Sequence, residues 1–121
     1  MNLKNKQILE YNQKLTIFSK CNLTLPVRIS FYLQKNIQLI KQAAQDIDRA
    51  RLGIGEKFGT RKKDYSGYDI PQENITKVNQ ELNELFGLEQ DLNIHVFKLD
   101  DFDSVDLTYQ EMSAIMFMIE E

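Results

Sequence analysis

The chain has 121 residues, 42% of them hydrophobic and 27% charged, which excludes a disordered polyelectrolyte and fits one domain spanning 1–121. One cysteine, Cys21, and one histidine, His95, exclude an internal disulfide framework and a metal centre built from several histidines or cysteines. The net charge of -3 hides a split, because residues 1–63 carry +9 and residues 64–121 carry -12.

The opening segment, MNLKNKQILEYNQK, has no apolar stretch or small-residue cleavage site of the secretory kind. The longest apolar run, AIMFMI at 114–119, falls far short of the ~20 residues a membrane span needs. A cytoplasmic protein without a membrane partner is expected. Cys21 is expected to be a half-buried structural thiol in a reducing compartment.

Residues 6–18 place Ile8, Tyr11, Leu15 and Phe18 on one face of a short helix, entered from a brief strand at Met1–Lys4. KCNLTLP breaks it, and Pro26 is placed as the first residue of the next helix. That helix is predicted to run from Pro26 to about Leu52. One stripe holds Leu33, Ile37, Ile40, Ala44, Ile47, Arg51, Ile54 and Phe58; an adjacent one holds Tyr32, Asn36, Leu39, Ala43 and Ala50. Two neighbouring stripes describe a core helix with two packing partners, and Ile40 and Ile47 are predicted to be buried.

RARLGIGEKFGTRKKD, residues 49–64, raises the question of a phosphate loop. Gly53, Gly55 and Gly59 spell G-x-G-x-x-x-G, whereas a dinucleotide fingerprint is G-x-G-x-x-G at a helix start. Phe58 stands where a Walker loop needs glycine, and phosphate is favoured at a helix N-terminus, not at the far end. The glycines therefore read as helix terminators in the left-handed conformation. Arg61, Lys62 and Lys63 read as the solvated last turn and loop.

Ser66-Gly67 marks a turn tip, and Tyr68 and Ile70 a very short strand. A third helix begins near Pro71, carries Ile75, Val78, Leu82 and Leu85, and ends at Gly87. DLNIHVFKL alternates as a half-buried strand, with Leu92, Ile94 and Val96 on one face and Asn93, His95 and Phe97 on the other. His95 is thus expected on the exposed face. The acidic linker DDFDSVD leads to a last helix capped at Asp106 or Thr108 with Glu111 completing a capping box. Its apolar face is Met112, Ile115, Met116 and Ile119. The fold class is mostly α with a minor short β element (α+β), a long central helix packed by shorter helices.

No constellation for acid–base, nucleophilic or metal chemistry emerges. DDFDSVD lacks the glycine and terminal glutamate of a calcium loop. A non-enzymatic protein without cofactor is expected. The candidate interaction residues are the basic set Arg49, Arg51, Lys57, Arg61, Lys62 and Lys63 and the acidic set Asp100, Asp101 and Asp103. Nucleic-acid binding through 49–63, with Tyr65 and Tyr68 for stacking, is the alternative, disfavoured by an isoelectric point near 5.2. The preferred partner is another protein, or a second copy meeting the oppositely charged half. Within one molecule, Arg49 or Arg51 is expected to pair with a carboxylate from 64–121.

From end to end the chain resembles a family of small uncharacterised proteins encoded in phages and prophages of Gram-positive bacteria. The resemblance runs through LKNKQILEYNQKL, LTLPVRISFYLQKNIQLI, EKFGTRKKD, VNQELNELFGLEQDLNIHVFKLDDF and LTYQEMSAIMFMIEE in that order. LGIGEKFG departs from the family's uninterrupted charged helix, and the loop at 60–70 is short. The resemblance implies a phage origin and an unknown role, and it assigns no site residues. Small size, the lack of a catalytic constellation and the oppositely charged halves lead to the expectation of an accessory protein that binds another protein, inhibiting a host factor or assisting virion assembly, in the host cytoplasm or the virion.

Overall fold

In the computed structural model, which describes residues 1–120, strand β1 (Asn2–Lys4) leads directly into helix α1 (Asn5–Phe18). Gln7 accepts a hydrogen bond from the Lys4 backbone N–H through its side chain, which satisfies one of the free donors at the helix start. Ile8, Leu15 and Phe18 are buried, as the predicted face requires; Asn5 is buried as well, and half-buried Tyr11 stacks on Phe117 at 4.0 Å.

Helix α2 (Val27–Phe58) is the axis of the molecule, 32 residues and roughly 48 Å long. Pro26 is its N-cap rather than its first residue. Ile29, Leu33, Asn36, Ile40, Ala43, Ala44 and Ile47 are buried, and α1 and α3 pack against them. Of the other residues in the predicted stripes, Leu39 is exposed and Ile37 half-buried, and burial stops after Ile47: Ala50 and Arg51 are exposed, and Ile54 and Phe58 only half-buried.

The predicted end near Leu52 is wrong by a turn and a half. Gly53 and Gly55 lie inside the helix, and Gly59 caps it in an extended conformation, φ -140° and ψ -175°, not a left-handed one. Two of these glycines serve close approach. A Cβ on Gly55 would sit 2.8 Å from Tyr68 Cδ2, and one on Gly59 would sit 2.6 Å from the Asp69 carbonyl oxygen. Gly53 has open space around it, and nothing in the structure explains it.

The approaching segment is a hairpin of β2 (Thr60–Arg61) and β3 (Tyr68–Asp69), paired antiparallel with Arg61 opposite Tyr68. A 3-10 turn at Gln72–Asn74 then opens α3 (Ile75–Gly87), and Asn74 donates its side-chain amide to the Phe58 carbonyl at the end of α2. On α3, Val78, Leu82 and Leu85 are half-buried and Ile75 is exposed.

Strand β4 (Glu89–Asp91) pairs antiparallel with β1, so the chain returns to its start. The predicted strand through 92–97 does not continue. Residues 92–96 are irregular, and only β5 (Phe97–Lys98) resumes pairing, parallel to β6 (Ile119–Glu120). The alternation fails with it: Ile94 and Phe97 are both buried, and Val96 is exposed.

The reason is Asn36. Its side-chain amide donates to the His95 carbonyl at 2.9 Å and accepts from the His95 N–H at 2.8 Å, replacing the strand neighbour that would have held this peptide. His95 is accordingly not surface decoration. Its ring stacks on Tyr32 at 4.0 Å and meets Phe97 edge-on at 4.8 Å.

A 3-10 turn at Leu99–Phe102 buries Phe102 against Phe97. Helix α4 (Tyr109–Ile115) is capped by Thr108, whose hydroxyl accepts from the Glu111 N–H while the Glu111 carboxylate accepts from the Thr108 N–H. Its buried residues are Ala114 and Ile115, followed by Met118 in a 3-10 turn at Met116–Met118; Met116, predicted on the apolar face, is exposed. Cys21 is exposed rather than half-buried. The buried residues form one cluster from Leu3 to Met118, centred on α2.

Candidate interaction surface

The charged residues singled out in the sequence do not come together. Arg49 lies 3.6 Å from Asp46 and Arg51 lies 2.9 Å from Asp48, both one turn away on α2 itself. Among the described residues, the expected pairing of either arginine with a carboxylate from the C-terminal half is therefore absent. A local i,i+3 partner is within reach without ordering a second element, so the helix satisfies its own arginines. The halves do touch elsewhere: Lys57 bridges to Glu81 of α3 at 2.8 Å.

Asp100, Asp101 and Asp103 sit in and beside the 3-10 turn that follows β5. Asp101 accepts the Lys98 backbone N–H at 2.9 Å and so has a local structural task. Asp100 and Asp103 are exposed beside Leu99 and Glu120, around a shallow depression of about 410 Å³. This acidic turn is next to the Asn36–His95 contact, whereas the hairpin follows Phe58. Twenty-two residues of α2 separate those positions, roughly 33 Å of helix.

Arg61 closes β2, and Lys62 and Lys63 follow it into the turn of the hairpin, all three exposed. Lys62 donates its backbone N–H to the Gly67 carbonyl at 2.9 Å, and Tyr65 donates its own to the Lys62 carbonyl at 3.0 Å. Asp64 accepts from the Ser66 N–H at 3.1 Å and from the Ser66 hydroxyl at 2.7 Å. These bonds, the hydroxyl's first, hold the Asp64 carboxyl below its ordinary pKa.

Tyr65 stands at the apex with φ 59°, and no other non-glycine residue among the described residues has positive φ. Its side chain is 76% exposed. The Arg61 guanidinium lies 5.4 Å from the Tyr65 ring centroid and 5.8 Å from that of Tyr68, and donates to the Tyr68 hydroxyl at 3.3 Å. That bond raises the Arg61 pKa further, and the charge is permanent.

Tyr68 in turn rests over Gly55 of α2. The order is thus helix, glycine, tyrosine, arginine, apical tyrosine: a small braced projection on the end of a long rod. The basic residues were visible in the sequence; the apical Tyr65 and its brace were not.

Two larger grooves are less organised. One of about 600 Å³ between α1 and α2 is lined by Leu9, Thr16, Ile37, Lys41, Asp48 and Arg51 among others, with Asp48 and Arg51 paired to each other. Another of about 670 Å³ lies between the start of α1 and the end of α3, near Lys6, Glu10 and Phe86. Among the described residues, no three His, Cys, Asp or Glu side chains are grouped to hold a metal ion, and no helix is long and apolar enough to cross a membrane.

No family model, curated protein or solved structure matches the chain.

Proposed function

We propose that this is a small phage-type, non-enzymatic protein of the host cytoplasm that acts by binding another protein. Its role is to inhibit a host factor or to assist virion assembly. The observation that carries protein binding is the hairpin tip, in which Arg61 is held between Tyr65 and Tyr68 and Tyr65 projects into solvent. Tyrosine and arginine are the residue types that dominate binding energy at protein interfaces, and a braced tip loses little conformational freedom on docking. The phage assignment rests on the resemblance through the successive sequence pieces given above.

Affinity purification from host or infected-cell lysate at physiological salt tests this. A protein recovered in stoichiometric amount by the wild type, and lost with Lys62→Glu/Lys63→Glu, is the expected result. Equal recovery by both, or no protein recovered, overturns it.

A second reading, nucleic-acid binding, has one observation in its favour: an exposed tyrosine ring beside the Arg61 guanidinium, with two exposed lysines next in sequence, suits a stacked base and its phosphates. A net charge of -3 opposes it.

A further inference from the structure

We infer that the β2–β3 tip is a plug for an acidic cleft on a partner protein, with Tyr65 entering the cleft and Arg61, Lys62 and Lys63 meeting carboxylates at its rim. The assignment rests on protein binding being the function.

Shape is the first argument. Tyr65 stands at the apex of a two-residue-stranded hairpin, so the complementary surface is concave. The distribution of uncommitted cations is the second. Within the basic stretch 49–63, Lys57 is tied to Glu81, Arg51 to Asp48 and Arg49 to Asp46, which leaves Arg61, Lys62 and Lys63, three consecutive residues without a salt bridge among the described residues. A nucleic-acid strand presents a phosphate at every nucleotide and is held by a track of cations along its length. On this hairpin the exposed cations are three consecutive residues, a short patch rather than a track.

The third argument is electrostatic. Residues 64–121 carry -12, and a long polyanion lying across the tip would run against that charge. A cleft engages only the tip. Within the tip itself, Asp64 accepts two hydrogen bonds from Ser66, and its single negative charge offsets only part of the three positive ones. The planar Arg61 fork, steadied by two rings, suits a carboxylate.

The experiment replaces Tyr65 with the photo-crosslinking residue p-benzoylphenylalanine in the full chain, irradiates producing cells, and maps the linked peptide by mass spectrometry. Titrations of the ¹⁵N-labelled protein with a decaglutamate peptide and with a decathymidylate accompany it. The expected result is a crosslink to a foreign protein at a concave, Asp/Glu-rich site. Peptide-induced shifts should be confined to residues 60–69 and weakened at least about tenfold in Arg61→Ala/Lys62→Ala/Lys63→Ala.

A crosslink to a protein site without carboxylates overturns the acidic cleft but leaves protein binding standing. A crosslink to nucleic acid, or tighter tip-dependent binding of decathymidylate than of decaglutamate, overturns both. A crosslinked dimer of this chain overturns the foreign partner and assigns the tip to self-association. Absence of any crosslink removes the tip from the interface.

Discussion

Asn36 and the peptide of His95 exchange two hydrogen bonds across 59 residues of sequence, with the amide nitrogen also 3.3 Å from Met118 Sδ. Asn36 is 1% exposed, so its own amide cannot turn to water for compensation. Asn36→Ala is expected to cost ~2–4 kcal/mol in urea unfolding, the cost of stranding two backbone groups. Asn36→Asp keeps the shape but buries an acid. Burial raises its folded pKa above the unfolded value, so the folded state binds more protons and this variant gains stability as pH falls. A pH-independent difference between Asn36→Asp and wild type from pH 4 to 8 refutes the lock.

The glycines of α2 are expected to separate cleanly. Gly53→Ala meets nothing within 4 Å and should raise stability by ~0.5–1 kcal/mol, the propensity difference. Gly55→Ala gains the same propensity but drives a methyl into the base of the Tyr68 ring. Its backbone resonances at 60–69 should shift while those of the α1–α2 contact do not. Identical stabilisation by both substitutions, with no hairpin shifts, refutes the close-approach explanation.

Much of this architecture was legible and some was not, for identifiable reasons. The α1 face, the long helix, the turn at Ser66-Gly67 and the Thr108–Glu111 box depend on interactions within a few residues, and local pattern reports those directly. The stretch 92–97 looked like a strand because its alternation is real, yet a strand needs a neighbour. Asn36, in an otherwise apolar stripe, took the neighbour's place. The basic residues of the tip were named from sequence, but α2 was expected to stop before Gly53. That misplaced the hairpin, and with it the brace under Tyr65. Arg49 and Arg51 were assigned distant partners when acids one turn away were nearer.

Ile40 is fully buried at the centre of α2, and Ile47 nearly so. Ile40→Ala is expected to lose ~2–5 kcal/mol from removed contacts and the cavity left behind. A loss below ~1 kcal/mol in the same urea melts contradicts the packing of α1 and α3 on this face.

The α4 cap has a pH signature. The Thr108 backbone N–H and then its side chain hold the Glu111 carboxyl below its ordinary 4.5. A depressed acid contributes stability above the unfolded pKa and loses it as pH falls through the folded one. Glu111→Gln should therefore shrink the difference between stability at pH 6 and at pH 3. Thr108→Ala, which removes the hydroxyl acceptor, should cost about 1 kcal/mol at pH 7.

Cys21 offers a chemical check on the same corner. Loss of hydration and then the nearby Glu111 carboxylate raise its thiol pKa above the ordinary 9.0, so the exposed sulfur stays protonated. Alkylation by iodoacetamide at pH 8 is expected to run slower than for free cysteine and to quicken in Glu111→Gln. Equal rates in both proteins refute the coupling.

The pairing of β1 with β4 sets how the chain must assemble. Lys4 meets Glu89, so this two-stranded contact closes a loop of 85 residues. The chain entropy of that closure is roughly 4 kcal/mol beyond a constant, recovered by only three residue pairs. The α2–α3 hairpin involves much shorter loops and can form first. Refolding is therefore expected to pass through a barrier at which the helices are docked and the β1–β4 seam is still open. Weakening that seam would then speed unfolding more than it slows folding.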